Sequence, residues 1–317
     1  MAPPSSSSML ALVGIAVVLA AVFGGYLAEQ GNPYVLLQPA ELLIVGGAAL
    51  GIVLIANRPA VIRKMARGAG SVFFSPALHT RSWFLRSLRM LYELFAYAQR
   101  AGIASLEGDV EQPHKSRIFS QYPEFLKDIP ARAFLCDSLR MLVIGVTTPH
   151  ELDHLMDLDM ETQRRGEMEP VSALSSVADA LPGLGIVAAV LGVVITMQSI
   201  GASPERVGEK VAAALVGTFL GILLCYGLVG PMASRLESMG EARTHYLQVL
   251  RTAVVAFARG ASPILAVEYG RRSIPMECRP SFTEMETTIR RDAKIPALPA
   301  APAPVGQENH AEAANSA

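Results

Sequence analysis

Leu181-Pro182-Gly183-Leu184-Gly185-Ile186-Val187-Ala188-Ala189-Val190-Leu191-Gly192-Val193-Val194-Ile195-Thr196-Met197 carries no charged side chain, and none occurs anywhere in 180–204. A bilayer core of about 30 Å is crossed by roughly 20 helical residues, so this run predicts a membrane span over 178–200. Working outward, 9–28, 35–56 and 209–233 meet the same test. Residues 1–57 hold only two charges, Glu29 and Glu41. Glu41 falls near one end of the second span, from where its carboxylate is expected to reach the interface. Residues 1–8 bring no Lys or Arg before the first apolar run, so they are expected to be a leader that stays attached to an anchor rather than part of a signal peptide.

Composition supports this. The 317 residues are 51% hydrophobic and 17% charged, oilier than a soluble globule. A net charge of −1 lacks the basic footprint of a nucleic-acid binder. Cys136, Cys225 and Cys278 lie far apart, with no C-x-x-C pair and no ligand-spaced His or carboxylate, so neither a disulfide framework nor a zinc site is implied. Phosphate-cradling glycine loops and the G-x-S-x-G turn are missing from the sequence, so neither an enzyme nor a cofactor is expected.

Basic residues set the orientation, because cytoplasmic flanks of spans carry the excess of Lys and Arg. The loop after the first span has none, whereas Arg58, Arg63, Lys64 and Arg67 crowd behind the second. Residues 58–171 hold 15 of the 27 Lys and Arg, and 235–317 hold 10. Both termini and both blocks are therefore expected in the cytoplasm. The block 58–171 repeats apolar residues near a spacing of 3.6, as in Trp83-Phe84-Leu85-x-x-Leu88, and no run alternates strictly enough for a strand. Pro113, Pro123, Pro130, Pro149 and Pro170 are expected to cut it into short helices. Residues 234–293 predict a second helical region, and the Ala/Pro-rich 294–317 a disordered tail. The fold class is thus an all-α integral membrane protein: four transmembrane helices, with a cytoplasmic helical domain between the second and third.

Inside the spans, Gly185, Ala188, Ala189 and Gly192 form a small-residue face for close helix packing, matched on span four by Ala213, Gly217 and Gly221. Thr218 lies beside that second face, and a lone membrane Thr commonly bonds back to its own helix. Pro182 and Pro231 sit near the cytoplasmic ends of spans three and four, where a proline bends a helix and frees a carbonyl. No ionisable group is expected at the centre of any span. An ion path through such a chain would need a carboxylate from another polypeptide; without one, four packed helices describe a scaffold.

A family resemblance rests on five segments: Val22-Phe23-Gly24-Gly25-Tyr26, Gln38-Pro39-Ala40-Glu41-Leu42, residues 181–190, Val216-Gly217-Thr218-Phe219-Leu220-Gly221-Ile222-Leu223 and Arg279-Pro280-Ser281-Phe282. In order and spacing they closely resemble the MotA-type stator subunit of the bacterial flagellar motor, over roughly residues 9–292. The resemblance implies a ring of five subunits around a dimer of a MotB-type partner, whose single span brings an Asp and whose periplasmic domain grips peptidoglycan. It also implies a push on a FliG-type rotor protein. By position, Pro182 and Pro231 correspond to the family's boundary prolines and Thr218 to the threonine facing the partner's Asp. Glu107 and Asp159 correspond to acidic rotor-facing positions. The basic position falls on Gln99, with Arg100 one residue further, about 100° around the helix. Sodium-driven relatives carry a second threonine where this chain has Ala189, which implies a proton as coupling ion. The alternatives are an ExbB/TolQ-type subunit, expected to have three spans, and a non-conducting scaffold.

Overall fold

The computed structural model describes residues 6–74, 80–198 and 203–292, and every regular element among them is helical. The expected tail 294–317 and the first five residues of the expected leader lie outside the described residues, while Ser6 already begins the first helix.

Helix α1 (Ser6–Ala28) is the first span and is closed by a tight turn. In that turn the Tyr26 hydroxyl donates to the Asn32 carbonyl at 3.1 Å, and the Tyr26 ring covers Gly31, where a Cβ would stand 2.4 Å from it. A side chain there would displace the Tyr26 ring. The short α2 (Pro33–Leu36) follows, then α3 (Pro39–Ala56), the second span. Helix α4 (Pro59–Phe74) is amphipathic, with Val61 and Val72 buried and Arg63 and Arg67 exposed.

Next comes the helical domain: α5 (Arg81–Ala101), α6 (Glu107–Glu111), α7 (Pro123–Lys127) and α8 (Ile129–Ile144). Pro113, Pro123, Pro130 and Pro149 stand in the first turns of helical elements, where the absent N–H costs nothing. Pro170 does not follow the expectation. Helix α9 (Pro149–Met197) runs 49 residues through both Pro170 and Pro182. It starts with a capping box, Thr148 and Glu151 satisfying each other's backbone N–H. At 1.5 Å per residue it is about 70 Å long, more than twice a bilayer core, so domain and span share one rod. Packing on both sides holds the helix together where the sequence signal alone predicts a break.

The return path is equally long. Helix α10 (Pro204–Leu224), a π-helical turn at Cys225–Val229 and α11 (Gly230–Ala258) form one segment antiparallel to α9. In the turn the Gly230 N–H bonds the Cys225 carbonyl five residues back. The widened turn admits Pro231 immediately afterwards, so the clash of its ring is met by a π bulge. Helices α12 (Pro263–Arg272) and α13 (Phe282–Asp292) pack against α5.

The main core lies in the helical domain, around Phe84, Leu91 and Phe95 of α5, Phe134 of α8 and Tyr246 and Leu250 of α11. Phe95 stacks on Phe257 at 4.4 Å, and the fully buried Tyr246 hydroxyl shares a 2.9 Å hydrogen bond with Ser87. The membrane half has a smaller core of Val45, Ala49, Ala178, Leu181, Ala188 and Cys225. Small side chains there allow backbone to approach backbone, the usual basis of helix association in lipid.

Candidate functional site

The seam between α9 and α10 is closed by glycines. A Cβ on Gly185 would stand 2.7 Å from the Gly217 carbonyl oxygen, one on Gly221 2.5 Å from that of Leu181, and one on Gly192 2.7 Å from the Ala214 Cβ. Close packing is therefore what Gly185 and Gly192 do. Ala188, fully buried, belongs to the same seam, while Ala189 is half-buried at its edge.

Thr218 and Ala189 both border the stretch of this seam closed by Gly185 and Gly217. The Thr218 Cα is 3.2 Å from the Cβ position of Gly185, and the Ala189 N is 3.2 Å from that of Gly217. Thr218 is half-buried, and its hydroxyl makes no hydrogen bond among the described residues. The other threonine of the seam behaves differently: Thr196 is buried and its hydroxyl donates to the Gly192 carbonyl at 2.8 Å, so it is spent on its own helix. The outer face of α9, with Ile186, Val190, Val194 and Ile195, remains exposed and apolar.

Glu41 departs from expectation. It sits in the first turn of α3 and is only 7% exposed. Its carboxyl enters the three-helix junction of α3, α9 and α10 instead of turning to the interface. Oε2 lies 2.6 Å from the Cβ position of Gly217 and Oε1 3.3 Å from that of Gly192, and Oε2 has no hydrogen-bond partner among the described residues. The expectation about ionisable groups concerned span centres, and Glu41 stands in the first turn of α3, so what differs is the direction of its carboxyl. Two glycines make the space that admits it.

The charges of the helical domain divide into two groups. Arg100, Glu107 and Asp159 are all exposed, as is Gln99. Arg100 Nε donates to the Ala96 carbonyl at 3.3 Å in the last turn of α5, and Asp159 accepts from Gln163 at 3.1 Å. Ion pairs join none of the three to another charge among the described residues. The second group was not legible beforehand. Arg251 of α11 bridges Asp153 at 2.8 Å and Asp157 at 2.6 Å, Arg259 reaches Asp153 at 3.2 Å, and Arg243 holds Glu167 at 3.0 Å. These pairs bolt α9 to α11. The one signal in sequence was the spacing of Asp153 and Asp157, four residues apart on one helix face.

Comparison with known proteins fits this architecture. Residues 12–102 match the model described as Motility protein A N-terminal, and residues 127–249 that of the MotA/TolQ/ExbB proton channel family. Motility protein A of Salmonella typhimurium is 38% identical over 282 residues, covering 89% of this chain and 95% of the relative. The chain belongs to the motility protein A family. Chemotaxis protein LafT of Vibrio parahaemolyticus is 34% identical, over 88% of this chain and 97% of its own. The fold is that of a chain in the structure of C. jejuni MotAB, with a TM-score of 0.70 at 19% identity, covering 85% of this chain and 97% of that one.

Among the described residues four apolar helices are long enough to cross a membrane, and the N-terminal match of this family member includes the first two. That separates it from the three-span arrangement expected of an ExbB/TolQ-type subunit. Pro182 lies half-buried in the seam helix α9, and Pro231 lies exposed just beyond the π turn.

Proposed function

We propose that this chain is a stator subunit of the bacterial flagellar motor, forming with a MotB-type single-span partner a proton channel that couples ion flow to torque. Membership of the motility protein A family carries this reading. The site geometry supports it: along one stretch of the α9–α10 seam stand Thr218, whose hydroxyl makes no hydrogen bond among the described residues, and Ala189, which carries only a methyl group. A carboxylate on the partner's span facing Thr218 would hold the proton. Waters and one hydroxyl suffice for a proton, whereas partly dehydrated Na⁺ needs several oxygen ligands at short range. Thr196 lies seven residues along α9 from Ala189, about 10 Å, too far to complete the same ligand set.

Torque follows from the rods. A change of charge at the partner's carboxylate acts on α9 and α10 near Thr218, and both helices continue into the helical domain, past Pro182 on one side and the π turn with Pro231 on the other. The exposed charges at Arg100, Glu107 and Asp159 meet a FliG-type rotor protein. Five copies around the partner dimer bury the apolar face of α9, and the basic residues behind α3 keep both termini and the helical domain in the cytoplasm of the inner membrane. Deleting the gene should leave filaments assembled but paralysed, with rotation restored by the wild-type chain and not by one carrying Thr218→Val. Filaments that keep rotating without the gene, in a cell with no second stator set, would refute the reading.

A further inference from the structure

At the elbow between α3 and α4, a crevice of about 530 Å³ opens against α9. Its two ends differ in chemistry. Val53, Ala56 and Val177 form an apolar wall continuous with the spans, while Arg58, Arg165 and Ser172 form a polar end one to several turns beyond them. The guanidinium-bearing side chains of Arg58 and Arg165 are 83% and 77% exposed, so their heads are open to a ligand. Glu169 also lines the crevice, pairing with Arg58 at 3.7 Å and Lys64 at 3.4 Å, and Glu161 holds Arg165 at 2.8 Å. These exposed pairs are weak, and a phosphate can take over either arginine. The surroundings add positive charge: 58–74 contains Arg58, Arg63, Lys64 and Arg67 and no acidic residue. Helix α4 is amphipathic and follows a span directly, the arrangement of a helix lying at the surface of a bilayer.

We propose that this crevice binds an anionic phospholipid of the adjacent leaflet, with its phosphodiester at Arg58 and Arg165 and one acyl chain along Val53, Ala56 and Val177. Charge complementarity selects against zwitterionic headgroups, and the apolar wall selects against a free phosphate ion. Such a lipid would fasten the α3–α4 elbow to the rod α9. This goes beyond the stator reading and holds or fails apart from it.

The test is native mass spectrometry of the protein purified in its assembled form, titrated with phosphatidylglycerol or phosphatidylcholine of matched chains. Phosphatidylglycerol should stay bound to the wild type and phosphatidylcholine should not. Arg58→Gln and Arg165→Gln should each weaken retention about fivefold, whereas Arg117→Gln, in the helical domain, should not. Equal retention of both lipids, unchanged retention in both crevice variants, or displacement by millimolar inorganic phosphate would overturn the proposal. Should the variants not assemble, a phosphatidylglycerol with a photoreactive acyl chain decides on the wild type. Adducts within 52–61 or 165–177 support the site. Adducts confined elsewhere refute it.

Discussion

Glu41 and Gly217 share one space: the carboxyl oxygen Oε2 occupies a point 2.6 Å from where a Cβ on Gly217 would stand. A carboxyl group has been fitted into a gap left by a missing side chain, between Gly192 and Gly217. Gly217→Ala should therefore push on Glu41, and overpacking of this kind costs about 1–3 kcal/mol. Shortening Glu41 to Ala should restore part of the loss, read as the thermal stability of the membrane-extracted protein. Equal losses with and without Glu41→Ala would separate the two residues.

Gly221 sets a stricter limit. Its Cβ would meet the Leu181 carbonyl oxygen at 2.5 Å and the Gly185 Cα at 3.0 Å, both backbone. A flexible carboxyl can swing away, but two helix backbones cannot without parting. Gly221→Ala should accordingly destabilise more than Gly217→Ala and gain nothing from Glu41→Ala. The same stability assay ranks the three variants.

The bolts between α9 and α11 predict a stability effect away from the membrane. Arg251 is 20% exposed in its side chain and meets two carboxylates, so Arg251→Ala should cost about 1–2 kcal/mol. Arg259, 59% exposed, should cost less. Asp159→Asn should change nothing in unfolding, since that carboxylate holds only Gln163. Thermal unfolding followed by circular dichroism distinguishes these cases.

Arg100 and Glu107 are expected to show the opposite pattern. Both are exposed and bear no ion pair among the described residues, so Arg100→Glu and Glu107→Lys should fold normally and impair swimming. Charge reversals on the rotor protein should restore motion. Full motility of the double variant with an unaltered rotor would take both residues off the torque surface.

What the sequence made legible follows from the range of the forces involved. Four spans could be read because a run such as 181–197 must be apolar whatever it packs against. Pro113, Pro123, Pro130 and Pro149 marked helix starts for the same local reason. Pro170 misled because packing along a 49-residue rod outweighs the local cost of a proline. The π turn before Pro231 has no pattern of its own. The direction of Glu41 was hidden because the glycines that receive it lie on helices more than 150 residues away in the chain. Arg251 finds Asp153 across 98 residues, a distance that no periodicity reports.

Acid should weaken the helical domain. The guanidinium of Arg271 holds the Glu268 carboxyl below its usual value of 4.5, and the Ser281 backbone N–H, with Arg81, does the same for Glu284. A carboxyl whose folded value is depressed adds stability that is present above 4.5 and is lost as the pH falls through the folded value. The melting temperature should thus drop on acidification below 4.5, and Glu268→Gln should flatten part of that slope. A slope unchanged in the variant would assign the acid sensitivity elsewhere.

The central claim is that the chain works in a proton-driven motor, with Thr218 supplying the hydroxyl on the stretch of seam that Ala189 also borders. Rotation speed of cells carrying this stator alone, measured at fixed pH with and without external sodium and with and without a protonophore, tests it directly. Speed should be indifferent to sodium and collapse with the protonophore. Rotation that stops when sodium is withdrawn and survives the protonophore would contradict the account.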